Sequence, residues 1–346
     1  MSSRRPPLYA LTRARVLEFI REPEAVFWVF AFPVIMALVL GFAFRDHAPE
    51  RLPIGVAGEA GLRQLGGAPL TSSALKTVPF ATLEEGLRAL RTGKIALLIE
   101  NREPLVYHFD PTRPDARLAR LEVDDAIQRA AGRKDPVERR EVPMHEKGSR
   151  YIDFLLPGIL GLNLMGTGIW GIGFGIVNAR LKKTLKLMTA TPMRKSEYLL
   201  AQIFSRFVFL VLEIAVILLF GVLAFGVPIR GSLMLLLLTA LLGSLSFAGL
   251  GLLVAARAQT LEAASGLMNF VMVPMWLLSG VFFSAERFPK AAQPLIQALP
   301  LTALNDALRA VMLEGKGLPA ITGQLLLLAA WGLVTFAIAL KIFRWQ

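Results

Sequence analysis

Six long apolar segments constrain the fold of this chain more than any other feature of its sequence. Each has about 18 or more residues with few charges, the length that a helix needs to cross about 30 Å of hydrocarbon. None shows the polar–apolar alternation that is typical of a barrel strand. The segments are Ala25–Phe44, Phe154–Ala179, Phe207–Ile229, Gly231–Ala256, Ala263–Ala285 and Leu318–Leu340. The sequence therefore predicts an α-helical integral membrane protein with six transmembrane helices.

The net charge of +12 is concentrated beside these segments. Arginines precede the first segment, and residues 180–206, between the second and third segments, are rich in Lys and Arg. Because positive residues mark the cytoplasmic ends of membrane spans, both termini are predicted to be cytoplasmic. A nucleic-acid surface is disfavoured, since the charges flank spans instead of forming one soluble face. Cysteine is absent, which excludes disulfides and zinc–thiolate sites for this chain.

Residues 1–24 are predicted to form a cytoplasmic amphipathic connecting helix. Within it, Leu8–Arg21 groups apolar side chains on one side, and Pro23 then breaks the helix so that the chain can turn into the membrane. The first apolar segment is longer than the apolar part of a typical signal peptide, and no clear cleavage site follows it. We therefore expect residues 25–44 to be retained as the first span.

Residues 45–150 form the only long polar stretch and are predicted to fold as a small α/β or α+β domain outside the cytoplasm. The stretches "LPIGVAG", "KIALLIEN" and "LVYHFD" favour strands, whereas "TLEEGLRALRTG" and Pro114–Ala131 favour helices. The predicted order is strand, helix, strand, strand, helix. His47, His108 and His145 lack the spacing of metal ligands, and we expect neither a metal site nor a catalytic site.

The connection 180–206 carries the most informative motif of the chain. Its apolar residues suit one face of a short helix, and Pro192 then forces a bend, because it disfavours helix at Thr191. The pattern predicts a short helix, a turn and a return into the membrane. The residues concerned are Thr184, Leu185, Leu187, Met188, Thr191, Pro192, Met193 and Lys195.

This connection resembles the coupling region of ABC-type-2 exporter permeases, where a pattern of the form G-T-L-x-x-L-x-x-T-P precedes an apolar helix. Lys183 stands where the family usually has Gly, and Ala179-Arg180 where an acidic–basic pair is usual. Three further stretches resemble the family in the same order, namely "LLPGIL", "VPMWLLSGVFFSAERFP" and "LPLTALNDALRAVMLEG". The polar domain resembles the insert found after the first helix in the drug-export branch.

The resemblance implies the multi-pass permease of an ATP-driven exporter in the bacterial inner membrane, with amphiphilic drugs or lipids as substrates and alternating access as the mechanism. The connection would then dock a separate ATPase subunit, and residues 286–317 would be an extracytoplasmic re-entrant region. Two permeases, identical or related, would assemble with two ATPase subunits that bind ATP-Mg. The motif G-x-x-x-x-G-K-[ST] does not occur in the sequence, so no cofactor is expected in this chain.

Asn163 and Asn269 are polar residues inside predicted spans. They lie in the two helices that line the pathway in the resembled family, which makes them pathway candidates. Interhelical hydrogen bonding is the commoner reason for such residues. Glycines in the second span, among them Gly158 and Gly161, indicate close helix packing.

Glu213 is an acid within the third span, where a charge is costly and usually faces the protein interior. Two interpretations are open. It could carry protons or contact substrate, or it could pair near the cytoplasmic end with a neighbouring helix or with Arg206, two helical turns away beside the basic flank. The pairing is the favoured interpretation.

Two other classes of function stay open at this point. A membrane sensor or scaffold would use the external domain to bind a ligand and the basic connection to recruit a partner, but it leaves the six spans unexplained. An ion-coupled secondary transporter should show paired intramembrane ionisable residues or internal repeats. Only Glu213 lies in mid-span, and no repeat is evident.

Overall fold

A computed structural model describes most of the chain as two compact units, Asp46–Pro143 and the rest. The described residues are 12–13, 16–17, 19–44, 51–58, 74–100, 102, 104–134, 148, 150–183 and 195–342, with side chains from residue 205 in the last range. Within them, six helices are long and apolar enough to cross a membrane, and a small sheet is inserted after the first. The predicted fold class is confirmed.

The first spanning helix, α1, covers Pro23–Ala43 and contains a π-helical segment at Phe27–Ala31. Pro23 occupies its first turn, where the missing N–H has no intrahelical partner to lose. In the predicted amphipathic helix before it, residues 12–13, 16–17 and 19–20 are helical and Arg21 is in a turn, whereas residues 1–11, 14–15 and 18 lie outside the described part. The ring of Phe19 packs 4.3 Å from that of Phe209.

The inserted unit has a four-stranded sheet with one helix on each face. In chain order its elements are β1 Leu52–Ala57, β2 Leu75–Phe80, α2 Leu83–Arg91, β3 Leu97–Glu100, β4 Val106–Phe109 and α3 Pro114–Ala130. The strand order is β2-β1-β3-β4; β1 is parallel to β2 and β3, and β4 is antiparallel to β3. Leu98 packs on the α2 side and Leu97 and Ile99 pack on the α3 side, so β3 is apolar on both faces.

Strand β2 is absent from the sequence-based prediction, which is therefore wrong for Leu75–Phe80. Exposed Lys76 and nearby Pro79 are atypical of a strand interior, because Pro cannot donate to the ladder. The structure explains why both are tolerated, since β2 lies at the edge of the sheet and pairs on one side only. Leu75 is buried in the core of the unit.

The second unit continues with seven α-helices among the described residues. They are α4 Tyr151–Leu181, α5 Lys195–Phe225, α6 Leu233–Arg257, α7 Leu261–Leu278, α8 Gln293–Gln297, α9 Pro300–Met312 and α10 Leu318–Ile342. α6 packs along α4 and α10, and α9 packs against α4, α6 and α10. Although α9 is too short to span a membrane, nearly all of its residues are buried.

Two predicted span ends are wrong by several residues. α5 ends at Phe225 instead of Ile229, and α7 ends at Leu278 instead of Ala285. Gly226 and Gly280 follow these ends with φ of +64° and +70°, the left-handed conformation with which glycine commonly terminates a helix. The apolar run continues past both glycines, so hydropathy alone makes the helices too long.

Candidate functional site

The predicted coupling segment, Thr184–Lys195, lies between two helices that the structure describes. α4 ends at Leu181 and α5 begins at Lys195, whose side chain is not described. The other seven predicted docking residues, which are Thr184, Leu185, Leu187, Met188, Thr191, Pro192 and Met193, lie outside the described residues. Their role stays a prediction, and the structure contributes the anchoring of the two flanking helices.

Arg180 anchors the last turn of α4. Its Nη1 donates to the carbonyl oxygens of Ala255 at 3.1 Å and Ala258 at 3.0 Å, both at the C-terminal end of α6. A helix C-terminus carries partial negative charge and unpaired carbonyl groups, so a guanidinium stabilises it. The end of α4 and the end of α6 are therefore tied together just before the coupling segment begins.

Arg206 anchors α5 in the same way but through side chains. Its Nη1 lies 3.0 Å from Oε1 of Glu213, and its Nε donates to Oγ of Ser244 on α6 at 3.1 Å. Its Nη2 donates to Oγ1 of Thr167 on α4 at 2.6 Å, and that oxygen lies 3.2 Å from Oε2 of Glu213. We call these four residues the Arg206 cluster; they connect α4, α5 and α6.

The Arg206 cluster accounts for the acid in the third span. Glu213 has 1% of its side chain exposed and Arg206 has 18%. A buried carboxylate without a partner would be strongly unfavourable, whereas here each oxygen of Glu213 has a polar neighbour. The expected ion pair with Arg206 is present. Spacing along α5 predicted this pair, but nothing in the sequence indicated Thr167 and Ser244 as the partners from other helices.

A second polar cluster, which sequence analysis missed, lies where α7 ends. Nδ2 of Asn305 donates to the carbonyl oxygen of Ser279 at 2.9 Å, and Nη2 of Arg309 donates to that of Gly280 at 2.5 Å. The hydroxyl of Tyr151 donates to the carbonyl of Phe282 at 2.9 Å. Asn305, Arg309 and Tyr151, which we call the α7-end cluster, thus satisfy carbonyl groups of the non-helical segment that follows α7.

Two glycines of α4 make room for this cluster. A Cβ at Gly161 would overlap Oδ1 of Asn305, and a Cβ at Gly158 would lie 2.5 Å from the carbonyl oxygen of Val281 and 3.2 Å from Nη2 of Arg309. The glycines therefore admit polar groups of α9 and the α7 end. Asn305 and Arg309, four residues apart and hence on one face of α9, were the signal that could have revealed the cluster.

Arg309 is held mainly by backbone and ring contacts. Its Nε donates to the carbonyl of Phe154 at 3.3 Å, and its guanidinium carbon lies 3.7 Å from the centre of the Phe154 ring. The carboxylate of Asp306 is 3.9 Å away and half-exposed, whereas Arg309 is 13% exposed. Among the described residues, no group of three or more His, Asp or Glu side chains could hold a metal ion.

Comparison with known proteins decides the family. The family model described as "ABC-2 family transporter protein" matches residues 24–341, which covers all six spans apart from Pro23 and Ile342. The chain belongs to the ABC-2 transporter family. The predicted resemblance is confirmed, and the chain is a multi-pass membrane protein of the permease type.

Individual ABC-2 relatives match about half of the chain. Inner membrane transport permease YhhJ of Escherichia coli is 29% identical over 175 residues, covering 50% of this chain and 46% of the relative. Probable multidrug ABC transporter permease YbhS of Escherichia coli is 27% identical over 166 residues, covering 47% and 44%. ABC transporter G family member 20 of Dictyostelium discoideum is 30% identical over 172 residues, covering 49% and 23%. The chain thus spans less than half the length of these relatives.

The two pathway candidates of this ABC-2 protein have different surroundings. Asn163 on α4 is buried, and its Nδ2 donates to the carbonyl oxygen of Val29 on α1 at 3.1 Å. Asn269 on α7 is exposed at the surface of the single chain, as is its neighbour Phe270. Asn163 therefore makes an interhelical hydrogen bond, whereas the side chain of Asn269 is accessible at the surface of the single chain. A pathway role for either residue stays a prediction.

Proposed function

We propose that this chain is the permease subunit of an ATP-driven exporter that moves amphiphilic molecules, drugs or lipids, out of the cytoplasm by alternating access. The observation that carries the proposal is the family match across residues 24–341. A relative whose name includes "multidrug ABC transporter permease" supports the substrate class.

A separate ABC ATPase subunit supplies the energy in this proposal. The sequence has no G-x-x-x-x-G-K-[ST] cradle for nucleotide phosphates, so Mg-ATP would be bound and hydrolysed on the partner. Two permease copies, identical or related, would assemble with two ATPase subunits. The partner would dock on the segment from Thr184 to Lys195, whose apolar residues suit a groove and whose basic flanks orient the approach.

The described contacts suggest how a displacement of the docking segment, Thr184–Lys195, would be transmitted to the spanning helices. Arg180 on its N-terminal side binds carbonyls at the end of α6, and Arg206 on its C-terminal side binds Ser244 within α6. Both flanking helices therefore hold α6 through a guanidinium. A displacement of the segment by ATP-driven closure would act on α6 from two points, and α6 packs along α4 and α10.

Leu187→Asp tests the docking assignment. A carboxylate buried without a partner in the ATPase groove is unfavourable by several kcal/mol, so association should weaken more than about a thousandfold. The measurements are co-purification with the candidate ATPase and substrate-stimulated ATP hydrolysis in proteoliposomes. Leu187→Met, which keeps size and polarity, is the matched control. If folded Leu187→Asp protein still binds the ATPase and couples hydrolysis to export, the segment is an ordinary basic connection.

The same proteoliposomes separate the exporter from its alternatives. An exporter moves an amphiphilic dye when ATP is present and needs no ion gradient. An ion-coupled secondary transporter would move the dye with a proton or sodium gradient and no ATPase. A sensor or scaffold would move none under either condition, and either of these last two results would contradict the proposal.

The topology of the proposal places residues 45–150 outside the cytoplasm and both termini inside. Since the chain has no native cysteine, a single Glu85→Cys substitution provides a clean label at the first turn of α2. It should react with a membrane-impermeant thiol reagent in intact cells. Labelling that requires membrane rupture would reverse the orientation.

A further inference from the structure

The π-helical segment of α1 has a cause in the sequence. In the segment Phe27–Ala31 the helix widens by one residue, and the N–H of Phe32 bonds to the carbonyl of Phe27 five residues earlier. Pro33 follows directly. Proline has no N–H and its ring crowds the carbonyl four residues before it, so it disrupts the regular ladder at that point. The carbonyl concerned is that of Val29.

Asn163 supplies a donor where Pro33 cannot. Val29 is buried, so its carbonyl has little access to water, and a buried carbonyl without a donor is unfavourable. Nδ2 of Asn163 donates to this oxygen at 3.1 Å from the neighbouring helix α4. Side chains of adjacent helices commonly satisfy the backbone groups that proline frees within a membrane span.

The two halves of α1 on either side of this point differ in packing. Beyond it, the buried residues Pro33, Ala37 and Gly41 recur every four residues and form one seam. A Cβ at Gly41 would lie 2.7 Å from the ring of Phe225 and 3.0 Å from Ile152, which shows how closely this half is held. Before it, the first turn, Pro23–Val26, has no buried residue. The π segment is therefore a junction between a half with a buried seam and a first turn without a buried residue.

We propose that Asn163 is a positioning residue that donates the backbone hydrogen bond missing at Pro33, and that it thereby locks the π-helical junction of α1 to α4. The first turn of α1 leads from the preceding amphipathic segment, so the lock, together with the packing of Phe19 on Phe209, fixes the direction in which that segment leaves the membrane. π-helical turns are often found at functional positions because they are costly to maintain. This role is independent of a contact between Asn163 and a transported substrate.

A double-variant comparison tests the lock. Backbone hydrogen exchange is measured over residues 26–34 of the purified full-length protein in nanodiscs. Asn163→Leu should speed exchange there about tenfold, because the junction opens more readily. In a Pro33→Ala background, the substituted residue offers its own N–H to Val29, so adding Asn163→Leu should change exchange by less than about twofold. Thr239→Val is the matched control, since the bond described for this buried hydroxyl lies within its own helix, to the carbonyl of Leu235 at 2.8 Å.

Two results would overturn the proposal. One is unchanged exchange over residues 26–34 in Asn163→Leu; the other is an equally large effect of Asn163→Leu in the presence and in the absence of Pro33→Ala. If Asn163→Leu protein does not accumulate in the membrane, its abundance becomes the readout, and Pro33→Ala should restore it. Asn163→Ser is a milder variant for the same comparison, because its side chain is too short for the hydroxyl to reach the carbonyl of Val29. If Pro33→Ala does not suppress the effect of Asn163→Ser, the proposed lock between α1 and α4 is also contradicted.

Discussion

Arg206 and Arg309 are both largely buried, and each connects three elements of the spanning unit. The positive charges of the two guanidinium groups, however, are stabilised by different kinds of partner. Arg206 faces the carboxylate of Glu213, which is almost fully buried. Arg309 faces the carbonyls of Gly280 and Phe154 and an aromatic ring, and its nearest carboxylate, Asp306, is half-exposed. The first arrangement depends on a pair of opposite charges, whereas the second depends on fixed backbone dipoles. Removal of a single charged group should therefore change the free energy of unfolding by different amounts in the two clusters.

The largest effect should come from removing the cation of the buried pair. Arg206→Met leaves Glu213 buried without its counter-charge, which should lower the free energy of unfolding by about 3–5 kcal/mol. Glu213→Gln is the matched variant; its amide oxygen can still accept from Arg206, so it should lose less than half as much stability and retain most transport. Denaturant unfolding in detergent gives the stabilities. If Glu213→Gln abolishes transport at normal abundance and ATPase activity, Glu213 has a role in the pathway.

Gly161→Ala probes whether the α7-end cluster requires close approach of α4. The new Cβ would overlap Oδ1 of Asn305, so the helices must separate, at a cost of about 1–3 kcal/mol. Gly166→Ala on the same helix is the control, because among the described residues no atom beyond its own stretch of helix lies within 4 Å of the new Cβ. That control should be neutral or slightly stabilising, as Ala favours helix. Equal melting temperatures for both variants would show that the cluster adapts freely.

Arg309→Lys separates charge from geometry in the α7-end cluster. The ammonium of lysine keeps the positive charge but lacks the planar fork that reaches Gly280 and Phe154 together. We expect a loss of about 1–2 kcal/mol, the value of one to two hydrogen bonds. Unfolding free energy measures it, with Lys290→Arg as a surface control. A fully stable Arg309→Lys protein would mean that charge alone matters there.

Asp306→Asn should have the smallest effect and completes the comparison with Glu213. A half-exposed carboxylate 3.9 Å from Arg309 is partly screened by solvent, so its removal should change stability by less than about 1 kcal/mol. A loss as large as that of Arg206→Met would show that Arg309 also depends on a charge pair, and the distinction between the clusters would disappear.

Hydropathy and turn residues predicted much of this fold because both are local properties of the sequence. The six spans, the helix that ends near Gly93 and the strands around Ile54 and Leu98 were all predicted. Helix ends at Gly226 and Gly280 were not, since apolar residues continue past them. Glu213 and Arg206 lie on one helix, so their pairing followed from spacing. Thr167, Ser244, Asn305 and Arg309 meet across helices, and that register depends on tertiary packing that hydropathy does not encode.

The length of α5 has a consequence for where a soluble partner would meet this protein. α5 contains 31 residues, which extend about 46 Å at about 1.5 Å per residue, whereas the hydrocarbon of a bilayer is about 30 Å thick. The helix is therefore about ten residues longer than a perpendicular crossing needs. In the proposed topology this excess lies on the cytoplasmic side, where α5 begins at Lys195. In a bilayer with longer acyl chains more of the excess would be submerged, so ATPase docking should weaken as lipid chain length increases.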